Sequence, residues 1–229
     1  MNKSQWLKSQ LAIGSLVIES LVIGGLGMRI GVFGGTFDPI HYGHLVAAEE
    51  ARVQLGLERV IFVPAGIPPH KMNEEVLPAR HRLAMVELAI ASNPHFAVSR
   101  VDIDRPGPSY TVDTIKLLRD GLVAETEMYF IMGSDSLREL PTWHEPEQLI
   151  RLCRLAVMTR PGYNPDLERL EKVLPGISSR VQFIDMPHLA ISSSDLQRRV
   201  REGLPIKYQV PQEVEEYIYT HSLYRGKNA

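Results

Sequence analysis

From Met28 onward, short runs rich in β-branched residues alternate with longer stretches of amphipathic pattern. That alternation predicts a parallel sheet with crossover helices. Strands are expected at Arg29–Phe33, Val60–Val63, Phe96–Val101, Met128–Met132, Leu155–Met158 and Val181–Ile184. Helices are expected at Gly43–Leu55, Ala79–Ala91, Thr111–Arg119, Glu145–Leu152, Pro165–Val173, Ser194–Glu202 and Pro211–Thr220. Gly56, Gly121 and Gly203 follow helical runs, where a left-handed residue costs glycine little, and Pro211 suits a first helical turn. The expected fold class is α/β, an open parallel sheet with helices on both faces. The last two helices are expected to form a small C-terminal helical subdomain at the edge of the sheet. In such sheets ligands bind beyond the carboxyl ends of the strands, which makes the loops after the strands the place to look for chemistry.

The residues before Met28 read differently. Leu11–Gly27 is apolar, with Lys3 and Lys8 ahead of it, but Glu19 interrupts the run and it falls short of the roughly 20 apolar residues that span a bilayer. Its near-repeats, KSQWL, KSQLA, IGSLV, IESLV and IGGLG, follow neither the helical nor the strand period. Residues 1–27 are therefore expected to be a low-complexity extension outside the fold, with Met28 as a candidate true start and 28–229 as one domain. A membrane-tethering helix is the competing expectation for the extension.

Composition narrows the class without naming a chemistry. With 229 residues, 44% hydrophobic and 23% charged, the chain is an average globular protein, neither a disordered tail nor a disulfide scaffold. A net charge of −2 leaves no broad basic footprint for nucleic acid or an anionic membrane, so any phosphate recognition must be local. Cys153 is the only cysteine, so no intrachain disulfide can form and a cytoplasmic location is expected.

The most informative stretch runs from Gly34 to Leu45, Gly-Gly-Thr-Phe-Asp-Pro-Ile-His-Tyr-Gly-His-Leu, directly after the first expected strand. Gly34 and Gly35 let backbone N–H groups approach an anion, and the following helix points its positive end to the same place. Neither GxGxxG nor GxxxxGK[ST] spacing is present. His41 and His44, three apart at the helix mouth, can present their rings to one side. An HxxH pair can also be half of a metal site, or two surface histidines. A zinc site needs further ligands, and His70, His81, His144 and His188 show no supporting spacing. After a glycine turn at a strand end, the phosphate reading is the stronger.

This stretch resembles the HxGH-type loop of the nucleotidyltransferase superfamily, and its full wording resembles that of the bacterial nicotinate-nucleotide adenylyltransferases. The resemblance implies a Rossmann-like fold and adenylyl transfer from ATP to nicotinate mononucleotide, giving deamido-NAD and pyrophosphate. It implies His41 and His44 as catalytic groups, with Gly34, Gly35, Thr36 and Phe37 at the ATP. Mg²⁺ would accompany ATP, with no metal ligands from the protein.

Further motifs follow in the family's order. Ile191-Ser192-Ser193-Ser194-Asp195-Leu196-Gln197-Arg198 reads by itself as a serine-capped basic helix, and resembles the family's ISSTxIR signature, which holds ATP phosphates. Gln197 stands where that signature has arginine, and Arg198, about 100° further round the helix, is the candidate substitute. Gly133 and Asp135 resemble a GxDS loop at the ribose, although Asp135 also suits a helix cap. Trp143 resembles the tryptophan that stacks on the pyridine ring, with His144 in place of a frequent tyrosine. Ser109, Tyr110 and Thr111 in a GPSYT segment, and Lys71 in a PPHK loop, resemble contacts to nicotinate mononucleotide. Arg160 resembles a turn near ATP.

Three alternatives stand beside this reading: the same fold with another acceptor, such as nicotinamide mononucleotide or pantetheine phosphate; a nucleotide-binding regulatory module that has lost catalysis, for which Gln197 speaks; and recruitment to a membrane through residues 1–27. No nucleic-acid partner is expected.

Overall fold

The computed structural model describes residues 27–71, 74–159, 166–187 and 189–225. The extension is outside these residues except for Gly27, as are Arg160 and Pro165. Among the described residues six strands form one sheet: β1 (Arg29–Gly35), β2 (Arg59–Pro64), β3 (Phe96–Val98), β4 (Glu127–Gly133), β5 (Arg154–Thr159) and β6 (Val181–Asp185). Their order is β3-β2-β1-β4-β5-β6 and every pairing is parallel, with Val32 opposite Ile61 on one side and Phe130 on the other. The winding therefore reverses between β1 and β4, where a crevice opens at the carboxyl ends of the strands.

The helices in chain order are α1 (Tyr42–Leu55), α2 (Ala79–Ile90), α3 (Val101–Asp104), α4 (Thr111–Arg119), α5 (Ser134–Glu139), α6 (Pro146–Leu152), α7 (Leu167–Val173), α8 (Ser193–Arg201) and α9 (Gln212–Thr220). All six expected strands form, as do all seven expected helices, each within two residues of the expected ends over the described residues except the third strand, which stops three residues early. Two short helices were not anticipated. The run Phe96–Val101 reads as one strand, but pairing stops at Val98 because Asp102, buried in α3, takes the Thr114 hydroxyl at 2.8 Å and the Arg105 guanidinium at 2.9 Å. Helix α5 opens directly from Gly133 at the end of β4.

Alternate residues of the central strands supply two cores, as the period of two requires. Val60 and Phe62 with Tyr129 and Ile131 face one layer, and Ile61 and Val63 with Met128 and Phe130 face the other. The first layer holds Ala47, Ala48 and Ala51 of α1, Met85 and Val86 of α2, Leu196 and Val200 of α8, and Val214 and Ile218 of α9. The C-terminal helices share this core, and α9 packs on α2, where the Tyr217 hydroxyl lies 3.0 Å from His81 Nδ1. The second layer is filled by α4 and α6 through Val112, Ile115, Leu149 and Ile150.

Side chains from the neighbouring strands and from Leu57 crowd Gly31. A Cβ there would sit 2.9 Å from Leu57 Cδ1 and 3.0 Å from Ile131 Cδ1. Gly56 and Gly203 take left-handed φ of 62° and 69° as expected, whereas Gly121 does not, since α4 ends at Asp120 in right-handed geometry.

Candidate active site

A cleft of about 360 Å³ lies at the reversal point, lined by Phe33 and Gly34 of β1, Ile131 to Gly133 of β4, and the start of α1. Of the residues expected at a site, it gathers Gly34, His41, His44, Gly133, Asp135, Trp143 and Ile191. Each of these except Trp143 sits at, or just after, the carboxyl end of a strand, or at the start of the helix that follows.

The two histidines form a single unit. His41 caps α1 in extended geometry, and its ring stacks on that of His44 with centroids 3.8 Å apart. Gly43 makes this possible, because a Cβ there would lie 3.0 Å from both Cε1 and Nδ1 of His41. The backbone N–H of His41 donates to Nδ1 of His44 at 3.3 Å. An accepting Nδ1 leaves the proton of a neutral imidazole on Nε2, so His44 is fixed as a donor on a ring that lines the cleft. Burial pushes the His41 pKa down to about 4, and burial followed by the neighbouring His41 holds His44 well below the usual histidine range. Near neutral pH both rings are therefore uncharged donors.

Two buried nitrogens in this lining have no hydrogen-bond partner among the described residues: Nδ1 of His41 and Nε1 of Trp143. Unpartnered buried polar atoms cost about 1–3 kcal/mol each, and in a cleft they mark where an external group can bind.

The loop ahead of the histidines is held from four directions. Arg82, fully buried in α2, donates to the carbonyls of Leu77 at 2.9 Å, Thr36 at 2.8 Å and Gly66 at 3.2 Å. The Tyr224 hydroxyl donates to Asp38 Oδ1 at 2.6 Å, and the Leu77 N–H to Oδ2 at 3.1 Å. Burial and the Asp38 carboxylate push the Tyr224 pKa far above the phenol range, which keeps it a donor. From α8, Gln197 donates to the Asp38 carbonyl at 2.6 Å and Ser193 Oγ to the Pro39 carbonyl at 2.9 Å. The Asp38–Pro39 peptide is cis.

Several expected contacts lie elsewhere. Phe37 is 2% exposed, takes a left-handed φ of 50° and packs edge-on against Phe33 and His44, so its side chain belongs to the core. Gly35 and Thr36 are outside the cleft lining. Gly35 passes over the Phe37 ring, and Thr36 contributes its carbonyl to Arg82. Ser109 accepts from the N–H groups of Gly66 and Ile67, which ties two loops together. Tyr110 stacks on His144 at 4.3 Å, Thr111 opens α4, and Lys71 pairs with Glu74 at 3.2 Å. Trp143 meets Phe130 edge-on at 6.1 Å, with His70 at 6.0 Å.

On α8, the Ser192 side chain caps the helix by accepting from the Asp195 N–H, and Ser194 is exposed. Arg198 is committed to Asp195 at 2.6 Å and Glu202 at 2.5 Å, and it does not line the cleft. Asp135, for its part, pairs with Arg138.

Sequence reasoning missed Arg82, Asp38, Gln197 and Tyr224 as builders of the site. Arg82 left one signal: it shares a helical stripe with Val86 and Ile90, both buried, where an unpaired guanidinium would not be tolerated. Tyr224 left none, because it follows the last helix.

Comparisons with known proteins bear on the family and the fold. The family described as cytidylyltransferase-like matches residues 32–199. A protein of Thermomicrobium roseum is 52% identical over 88% of this chain and 94% of its own, and one of Roseiflexus sp. 51% identical over 86% and 98%. Both bear the name "Probable nicotinate-nucleotide adenylyltransferase". Among solved structures, the Plasmodium falciparum nicotinic acid mononucleotide adenylyltransferase complexed with NaAD superposes with a TM-score of 0.71 at 22% identity. It covers 86% of this chain and 97% of that one. The chain belongs to the cytidylyltransferase-like family and, within it, to the nicotinate-nucleotide adenylyltransferases.

Proposed function

We propose that the cleft transfers the adenylyl group of ATP to nicotinate mononucleotide, forming the dinucleotide and pyrophosphate. The observation that carries this is the neutral, stacked His41–His44 pair at the start of α1, beside the open ends of β1 and β4. In this reaction a phosphate oxygen of the mononucleotide attacks the α-phosphorus of ATP. The bond from that phosphorus to the bridging oxygen breaks, and its electrons leave with pyrophosphate. The acceptor arrives as an anion, so no side chain has to act as base or nucleophile; the protein supplies positioning and stabilisation of charge.

Neutral imidazoles suit that task. Nε2–H of His44 would donate to an α-phosphate oxygen as charge builds there, and the buried Nδ1 of His41 would find its missing partner in the bound substrate. The amide ends of α1 add a positive dipole. ATP would enter as its Mg²⁺ complex. Asp135 is the single carboxylate in the described lining of the cleft, which supports a cation held by phosphate oxygens and water. Trp143 would offer its face to the pyridine ring and its indole N–H to a polar group. Gln197 acts here as a tether for the loop, so its lack of charge does not argue for lost catalysis. Cys153, buried and free, is compatible with a reducing cytoplasm.

The test is pyrophosphate release by the full chain with Mg²⁺-ATP and, in parallel, nicotinate mononucleotide, nicotinamide mononucleotide or pantetheine phosphate. Turnover is expected mainly with the first. Turnover with another acceptor would transfer the assignment to that acceptor, and ATP binding without turnover on any would refute the catalytic reading.

A further inference from the structure

At the opposite end of the sheet, where β1, β4 and β5 begin, a second cavity opens. Its volume is about 450 Å³. Five guanidinium groups line it, those of Arg29, Arg119, Arg151, Arg154 and Arg180, against the carboxylates of Glu125 and Glu127. Glu127 is already taken: Arg29 Nε lies 3.0 Å and Arg154 Nε 2.7 Å from its oxygens. Arg119, Arg151 and Arg180 have no carboxylate within 4.0 Å among the described residues.

Helix ends explain part of this accumulation. Arg119 and Arg151 stand in the last turns of α4 and α6, where a cation meets the negative end of the dipole, and Arg119 donates to the Leu152 carbonyl at 2.6 Å. Arg180 stands ahead of β6, and Arg29 and Arg154 are strand residues, so the same cause does not reach them. The wall also carries polar atoms without partners. The hydroxyl oxygen of Thr126, in a residue 4% exposed, and Nε of Arg119 are both buried and unbonded among the described residues. Nor does Cys153 supply a counter-charge. Burial pushes its thiol up to about 12 although Arg119 and Arg180 pull the other way, so it remains neutral.

We propose that this cavity is a second anion site, taking a small phosphate-bearing molecule between Arg119, Arg151 and Arg180. Guanidinium forks match phosphate oxygens two at a time, and the volume falls in the roughly 300–1,000 Å³ range of small-molecule pockets. Strand β4 runs from Glu127 in this cavity to Gly133 in the cleft, about 20 Å at some 3.3 Å per residue. Both places can therefore be filled at once.

The experiment is titration calorimetry on the full chain with the cleft first saturated by a non-hydrolysable ATP analogue. Inorganic pyrophosphate, AMP and citrate are then titrated in separate runs. A further event with one equivalent of pyrophosphate or AMP is expected, and which of the two binds identifies an inorganic or a nucleotide phosphate as the source. The Arg151→Ala/Arg180→Ala double variant should weaken that event at least tenfold while the analogue binds the cleft as before. Should the double variant fail to fold, the exposed Arg151→Ala alone serves, with a weakening of a few-fold. His44→Ala, altered only in the cleft, should keep the event. Absence of an event with either phosphate, equal binding of citrate, or an event that survives the arginine substitutions overturns the proposal.

Discussion

The loop after β1 and the helix after β6 both face the place where phosphates are expected, yet they are built in opposite ways. In the first, two uncharged histidines stack beside a loop that is held by bonds from distant parts of the chain. In the second, the charges of α8 are exposed and satisfied by their own neighbours, Arg198 by Asp195 and Glu202. On the function proposed above, the contrast teaches that a guanidinium already paired on the surface is a poor guide to the residues that meet an anion. A donor held in place in a low-dielectric wall, with no reorganisation to make, does more than a solvated guanidinium already paired.

The contrast breaks most sharply at His44. His44→Ala should lower kcat about 10²–10³-fold, the usual effect of losing one positioned donor to a developing oxyanion, while affinity for an ATP analogue changes far less. Turnover within tenfold of the parent would remove His44 from the chemistry. A second test uses acid. The folded-state pKa of His41 is lowered, so the unfolded chain takes up its proton first, below about 6.5. Stability from His41 is then complete above that pH and is lost as pH falls toward 4. At about 1.4 kcal/mol per unit the loss is about 3 kcal/mol across the window. Urea unfolding at pH 7, 5.5 and 4.5 measures it, and a His41→Asn variant should show a correspondingly flatter profile. The smallest effects compare neighbours on α8. Gln197→Leu should cost about 1 kcal/mol of stability, the usual worth of a hydrogen bond, and slow turnover several-fold. Arg198→Ala, on the exposed side, should leave turnover and the KM for ATP within twofold. A reversal of those two results would return α8 to the role of a charged phosphate clamp.

The strands and most helices were legible because burial on both faces of a parallel sheet writes continuous apolar runs, and helices that cover it write amphipathic ones. Helix α3 was not, since Val101 continues a β-branched run and only the contacts of Asp102 with Thr114 and Arg105 turn it. The histidine pair was legible from its position after two glycines. The roles of Ser109, Ser193 and Gln197 were not, because each is decided by a partner far along the chain. Gln197 and its acceptor at Asp38 are 159 positions apart. Spacing within a motif records which residues share a helix face; it does not record which loop a side chain will reach across to hold. The same holds for Arg82, whose three acceptors come from three separate loops.

The bond between Asp38 and Tyr224, 186 positions apart, also has a meaning in time. A ribosome delivers the loop and both histidines first, and the hydroxyl that secures Asp38 comes off it 186 residues after Asp38. Domains form as units during translation, and here the loop after β1 receives this fastening only when the segment after α9 has emerged. A nascent chain would thus carry this loop without its tyrosine fastening until α9 and the residues after it have been made.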